Sequence, residues 1–242
     1  MNNIYIVGVG KIRFNKYPIE SVRSMAEQAT ELALKDAGMD KSSLHAVYFA
    51  NSFWGMFDKQ DSIRGQVIMR GMGIDKIPVT NVENACAGAS TALHLAYTGI
   101  RAEMFDVALV LGSEKITNPN KALSFEAYAR CMDVENFEPH IANILELSKS
   151  FKIALPETEQ PPGQGRSIFM DAYAMMTRWH MNRFGTTQRQ LASICSKNHF
   201  HASLNPLAQY QNTMSIEEVL ADAPVTYPLT RSMCAPIGDG AA

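Results

Sequence analysis

The sequence is poor in the features that place a chain outside the ordinary enzymes. No uninterrupted apolar run reaches the roughly 18 residues that a membrane-spanning helix requires, so no membrane partner is expected. Neither sign of charge prevails, since 22 Lys and Arg stand against 24 Asp and Glu for a formal charge of -2. Recognition of nucleic acid or of an anionic membrane surface calls for a basic excess, and neither is expected here. Cysteine is scarce: Cys86, Cys131, Cys195 and Cys234 are scattered and form no CxxC. That pattern excludes a disulfide framework and a zinc site and predicts reduced thiols. The six histidines do not gather at metal-ligand spacing, and His199 and His201 would face different sides of a helix. No metal and no permanently bound cofactor is expected. There is no Walker A loop and no HExxH. "GVGKIR" at Gly8 opens like a dinucleotide fingerprint, but Arg13 occupies the sixth position, where a small residue is needed for close helix packing. The opening "MNNIYIVGVGK" lacks the charged start, apolar middle and cleavage site of a secretory signal, so the expected location is cytoplasmic.

What is present is apolar and periodic. Hydrophobic residues make up 46% of 242 residues, enough for a sizeable core in one large domain or one and a half. "IYIVGVG" (Ile4 to Gly10) reads as a buried strand closed by glycine. "SVRSMAEQATELALKDAG" carries Val22, Met25, Ala26, Ala29, Leu32 and Ala33 at helical spacing, with Ser21 as N-cap and Gly38 as the stop. Strands are expected at "HAVYFANS", "IPVTNVE" and "DVALVLGSEK". Helices are expected at "SIRGQVIMRGMG" and "GASTALHLAYTGIRAEM", the latter with Leu93, Ala96, Ile100 and Met104 on its apolar stripe. Continuous Val/Ile/Leu strands alternating with helices predict an α/β fold with a mainly parallel sheet covered by helices. Regularity then fails from Thr117 to Ser167, a stretch read as a covering excursion or a surface insertion. Helices resume at "MDAYAMMTRWHMNRFG", at "TQRQLASICSKNHFHASL" behind Thr186 or Thr187, and at "SIEEVLAD".

The stretch "NVENACAGASTALHLA" raises the functional question. Cys86 stands among Ala85, Ala87, Gly88 and Ala89, after a strand and before a helix. A strand, a sharp turn of small residues and a helix form a nucleophile elbow, which lifts a side chain clear of the sheet to a helix N-terminus. Small neighbours leave the attack path open. The helix macrodipole favours a thiolate by about 0.3–1 kcal/mol and at most about 2. That is incomplete activation, so a base such as histidine is expected to finish it. Backbone N–H groups of the same turn can stabilise an oxyanion. The same residues also suit a small buried cysteine in a tightly packed corner. His94, on the following helix, reads as a packed core residue rather than a catalyst.

These stretches resemble a known family. "NVENACAGASTALHLAYTGIRAEMFDVALVLGSEKIT" looks like the nucleophile strand, helix and following strand of the thiolases. "RWHMNRFGTTQRQLASICSKNHFHASLNPLAQYQ" and "YPLTRSMCAPIGDGAA" look like the sterol-carrier-protein-2 type of thiolase and related acetyl-CoA acetyltransferases. "IYIVGVGKIRFNKYP" fits the same family's first strand. The resemblance implies a thiolase fold: an N-terminal α/β core over residues 1–116, a mainly helical loop domain over 117–220, and a return to the core over 221–242. It implies that Cys86 takes the acyl group of a coenzyme A thioester, with its N–H in an oxyanion hole. Gly88 stands where many thiolases carry a serine that touches substrate. Phe169, Met170 and Tyr173 fall where thiolases shape the acyl pocket, and Thr117 to Ser167 is expected to tune acyl selectivity.

The implied reaction is cleavage of a 3-oxoacyl-CoA with coenzyme A, or the reverse Claisen condensation. Coenzyme A and acyl-CoA would be substrates, and the subunit would form a homodimer. Relatives of this type often pair with a small protein carrying a zinc ribbon and an OB fold. Thiolase subunits contain two similar halves, and the sequence given matches the first. The activating histidine and second cysteine of the other half are expected from a longer chain or a second polypeptide, and residues 1–242 alone are expected to lack activity. Two alternatives stand beside this reading. One is a thiolase-fold retro-aldolase, against which the retention of Cys86 argues. The other is a non-catalytic scaffold subunit.

Overall fold

The computed structural model describes residues 3–242. They fall into two compact units, one running to Asn118 and resuming at Ile237–Ala242, the other Pro119–Pro236. Residues 221–236 therefore lie with the second unit.

The first unit is a sheet between helices. Strands β1 (Ala46–Ala50), β2 (Val79–Val82) and β3 (Ala108–Glu114) join a short β6 (Gly240–Ala241) in the order β2-β1-β3-β6. β1 pairs parallel with both β2 and β3, while β6 is antiparallel to β3. Alternation assigns the two faces. Val47, Phe49, Leu109 and Leu111 are buried in one cluster with Val22, Met25, Ala26 and Ala29 of α1 (Val22–Ala37) and with Ile68 and Met69 of α3 (Arg64–Gly71). Fully burying the Val, Leu, Ile, Phe and Met side chains among them contributes about 1.5–3 kcal/mol each. On the other face, Ala50 and Val82 meet Ala92 of α4 (Gly88–Arg101). A short α2 (Trp54–Asp58) follows β1.

Helix α1 begins and ends as its sequence predicts. Ser21 and Ser24 form a reciprocal capping box, and Gly38 takes the left-handed conformation at φ 63°. Its buried face ends on Leu34 rather than Leu32, which is exposed. The stripe of α4 also differs from expectation. Gly88, Ala92, Ala96 and Gly99 are the buried residues, while Leu93 and Met104 are exposed. Small residues suit this face: Ala92 packs against Ala50 and Val82 of the sheet, and a Cβ on Gly99 would sit 2.3 Å from the Phe105 ring of the connection to β3.

The N-terminal stretch departs from its reading as a buried strand. Tyr5, Ile6, Val7 and Val9 are all exposed, and residues 4–10 join no sheet. The segment runs along α1 instead, where the Val9 N–H donates to Asp36 Oδ2 at 2.8 Å. A Cβ on Gly10 would lie 2.3 Å from the Ala29 carbonyl oxygen, so glycine alone permits that approach. Ladder bonds to the β6 segment begin only at Ile12 N–H to Ala241 O and at the Asn15–Asp239 bridge.

The second unit is mainly helical. It contains α5 (Lys121–Ala129), α6 (Phe137–Lys149), α7 (Ile168–Phe184), α8 (Gln188–Ser203), α9 (Ile216–Ala221) and a hairpin of β4 (Pro224–Thr226) and β5 (Leu229–Thr230). The region from Thr117 to Ser167 is thus more regular than expected, because α5 and α6 lie within it. Thr187 caps α8 through a box with Gln190. Ala192, Cys195 and Val219 form the small core beneath α8 and α9. No helix among the described residues is long and apolar enough to cross a membrane.

Candidate active site at the Cys86 turn

Cys86 sits on a single turn of 3-10 helix, Ala85–Ala87, between β2 and α4. The turn is held in an unfavourable backbone state. Ala85 has φ 44°, in the left-handed region that costs a residue with a Cβ about 1–2 kcal/mol. Three contacts fix it. The Ala85 N–H donates to Glu83 Oε1 at 2.6 Å, Asn84 Nδ2 donates to Thr91 Oγ1 at 2.9 Å, and Thr91 Oγ1 donates to the Ala87 carbonyl at 3.0 Å. Strain of this kind persists where surrounding structure over-determines it, and such places cluster at functional sites.

The outcome is an exposed Cys86 at the start of a 14-residue helix whose N-cap, Ala87, offers no side-chain acceptor and whose first turn contains no acid. The Cys86 N–H donates to none of the described residues. Gly88 is buried directly beneath, and a Cβ there would meet Ala50 Cβ at 3.4 Å. That separation is an ordinary van der Waals contact, so a small side chain would also fit there. His94, expected in the core, is exposed on α4.

A set of polar residues not singled out by the sequence lies at the carboxyl ends of the three parallel strands. Asn51 follows β1, Glu83 follows β2 and Glu114 ends β3. Asn51 Nδ2 donates to Glu114 Oε1 at 2.9 Å and to the Ser113 carbonyl at 2.8 Å. The Ser52 N–H donates to Glu114 Oε2 at 2.7 Å, and Ser52 Oγ donates to Glu83 Oε1 at 3.0 Å. Arg64 Nη1 reaches the Asn51 carbonyl at 2.5 Å and its Oδ1 at 2.9 Å. A continuous chain of contacts thus runs from Glu114 through Ser52 and Glu83 to the residue before Cys86. Burial pushes the Glu114 carboxyl above its ordinary value of 4.5, while the N–H groups of Ser52, Phe53 and Lys115 and the Arg64 charge oppose that rise. The signal was present in "NVEN" and "GSEK": ligands of open α/β sheets bind beyond the carboxyl ends of the strands.

Phe169, Met170 and Tyr173 belong to α7 in the second unit, and the fold gathers them on one helix. Phe169 packs its ring edge-on against Tyr128 of α5, with centroids 6.3 Å apart. Tyr173 is exposed. Cys131 is exposed like Cys86, whereas the other two thiols differ. Cys195 is buried, donates to the Ser232 carbonyl at 3.0 Å, and is pushed upward in pKa by burial. Burial raises Cys234 in the same way.

Comparison with known proteins identifies the family. The thiolase N-terminal domain family matches residues 4–151, more than half of the chain. The whole chain is 33% identical to an acetyl-CoA acetyltransferase of Methanothermobacter thermautotrophicus, covering 56% of that protein. It is 32% identical to human sterol carrier protein 2, again over the whole chain and 41% of the relative. The chain therefore spans about half the length of the curated relatives it matches, or less. Among solved structures, the Ltp2-ChsH2(DUF35) aldolase superposes with a TM-score of 0.69 at 19% identity, over 98% of this chain and 53% of the other. An elbow cysteine between a parallel strand and a helix, in a chain that the family matches along this same region, carries one conclusion: the chain belongs to the thiolase family.

Proposed function

We propose that this chain provides the nucleophile of an acyl-CoA C-acyltransferase, which cleaves a 3-oxoacyl-CoA with coenzyme A or runs the reverse condensation. The observation that carries the reading is the strained, exposed Cys86 turn at an uncapped helix start. Similarity to acetyl-CoA acetyltransferase supports the reaction class. In the cleavage direction the Cys86 thiolate attacks the 3-keto carbon. Negative charge develops on the carbonyl oxygen, and the unengaged Cys86 N–H is available to it. Collapse of that intermediate breaks the bond between the second and third carbons. The electron pair leaves with the acetyl-CoA carbon, which takes a proton, and the acyl group stays on sulfur. Coenzyme A thiol then takes the acyl group and frees Cys86. The covalent intermediate divides one difficult step into two. The proton donor and the base are assigned to no residue of this chain, and coenzyme A enters as a substrate.

Two further features belong to this reading. β2 is a sheet edge, and α4 beside it exposes Leu93 and Tyr97. An isologous contact along that edge would form a homodimer. A small partner protein with a zinc ribbon and an OB fold remains part of the proposal, by resemblance to the family.

The test is acylation of Cys86. Incubation of the full-length protein with an acyl-CoA is expected to add one acyl mass to the Cys86 peptide and to protect that thiol from iodoacetamide. Without substrate, Cys86 is expected to be alkylated before Cys131, Cys195 and Cys234, because the thiolate is the reactive form. Cys86→Ala should remove both the adduct and turnover with the fold intact, since alanine suits a turn of small residues. Substantial carbon–carbon cleavage by Cys86→Ala would overturn the covalent mechanism in favour of a retro-aldolase.

A further inference from the structure

The second unit carries a cavity lined by none of the residues that build the Cys86 turn. It measures about 360 Å3 and lies between α6, α7 and the irregular stretch that joins them. That is within the range of small-molecule sites, about 300–1,000 Å3. Its walls are mostly aliphatic, with Ile141, Ile144, Leu155, Ile168 and Met175 prominent. The face of α7 that lines it runs through Ile168, Asp171, Ala172, Met175 and Arg178. Phe169, Met170 and Tyr173 are not among the lining residues, and most of the lining comes from the stretch between Thr117 and Ser167.

The charged groups at the cavity decide what fits it. Arg166 bridges Asp171 at 2.6 Å and Glu159 at 3.1 Å, and all three side chains are largely buried. The remaining carboxylate acceptors are also engaged, since Asp171 Oδ2 takes the Gly163 N–H at 2.8 Å and Glu159 Oε2 takes the Tyr227 N–H at 2.9 Å. Arg178 donates Nη1 to the Tyr227 carbonyl at 2.6 Å and forms no ion pair among the described residues. A guanidinium has five N–H donors, so Arg178 has donors to spare. Two carboxylates and two guanidinium groups already balance. A bound carboxylate would leave an uncompensated negative charge in a partly dry site, which is costly. A bound cation would face the same imbalance and a surplus of donors. An uncharged carbonyl oxygen accepts from Arg178 without disturbing the balance.

We propose that this cavity binds an uncharged, mainly apolar molecule bearing a carbonyl group, with the carbonyl oxygen on Arg178 and the hydrocarbon along α6 and α7. The proposal does not rest on the role of Cys86, and Cys86→Ala is expected to bind as well as the unaltered chain. The test titrates the full-length protein with an uncharged dimethylaminonaphthyl ketone, whose emission moves to the blue in apolar surroundings, and in parallel with a dansyl-labelled long-chain carboxylate. Saturable, blue-shifted binding of the ketone is expected, with the carboxylate weaker. Arg178→Met should weaken the ketone about ten- to a hundredfold, the span for one hydrogen bond to a charged group. Ile144→Trp should abolish binding by filling the space. Circular dichroism reports whether each variant folds. If Arg178→Met does not fold, Ile144→Trp and the ketone-to-carboxylate preference decide alone. No saturable ketone binding, carboxylate binding as tight as the ketone, or an unchanged affinity in a folded Ile144→Trp or Arg178→Met variant overturns the proposal.

Discussion

Ala85 is the residue on which the candidate site turns. Its φ of 44° is maintained by a hydrogen bond from its N–H to Glu83, and the following residue is Cys86. Glu83 is exposed, so its removal should hardly change global stability. It should instead release the turn. Glu83→Ala is expected to slow acylation of Cys86 about tenfold, equivalent to about 1.4 kcal/mol, while Glu83→Gln keeps an acceptor oxygen and stays near the original rate. Rapid-quench measurement of acyl-enzyme formation distinguishes them. Alanine and glutamine variants that both react at the unaltered rate would remove Glu83 from the site. The sequence exposed Cys86 as a candidate through its small neighbours, yet gave no sign of the strained residue. Alanine rarely adopts a positive φ, and what forces it here is a side chain two positions earlier.

At the scale of elements, strand ends and helix faces behave differently. The positions of β1, β2, β3, α1 and α4 follow from periodicity and caps, because those are local properties of the chain. The buried face of α4 does not. Leu93 and Leu95 are among its larger apolar residues and are exposed, whereas Gly88, Ala92, Ala96 and Gly99 are buried and Ala92 packs against Ala50 and Val82 of the sheet. β3 carries a second consequence at its end. Glu114 titrates above 4.5 in the folded chain because burial disfavours its charge. The folded state therefore holds this proton more tightly than the unfolded state. The stability it confers is full below 4.5 and is lost as pH rises through the raised value. Glu114→Gln cannot ionise. The stability of the unaltered chain relative to Glu114→Gln, read from urea midpoints, is expected to fall as pH climbs above 4.5. A pH-independent difference would mean that Glu114 ionises at its ordinary value.

For the whole molecule, the exposed surfaces carry the argument. β2 lies at the edge of its sheet, and an open edge invites pairing with another chain. The complete protein is expected to sediment as a dimer at micromolar concentration, and a monomer there would remove the edge of β2 as an interface. The stretch Ile4–Gly10 shows the same principle from the other side. Its Val, Ile and Tyr content reads as a buried strand, yet those side chains are exposed and no strand lies beside them. Strand identity belongs to a pair of segments, so one segment's composition cannot supply it.

The sequence by itself determined the alternation of strands and helices from α1 onward, the cap at Ser21, a cap at Thr186 or Thr187, the stop at Gly38, and the place of Cys86 between a strand and a helix. Each of these depends on residues within a few positions of one another. Only the tertiary structure decided which face of α4 is buried and that Glu114, Ser52 and Glu83 form one chain of contacts leading to Ala85. It alone placed Glu159, Arg166, Asp171 and Arg178 around one cavity. Those groups come from separate strands, loops and helices. Packing sets their proximity, and so their hydrogen bonds and charge balance, and no local pattern of residues encodes it.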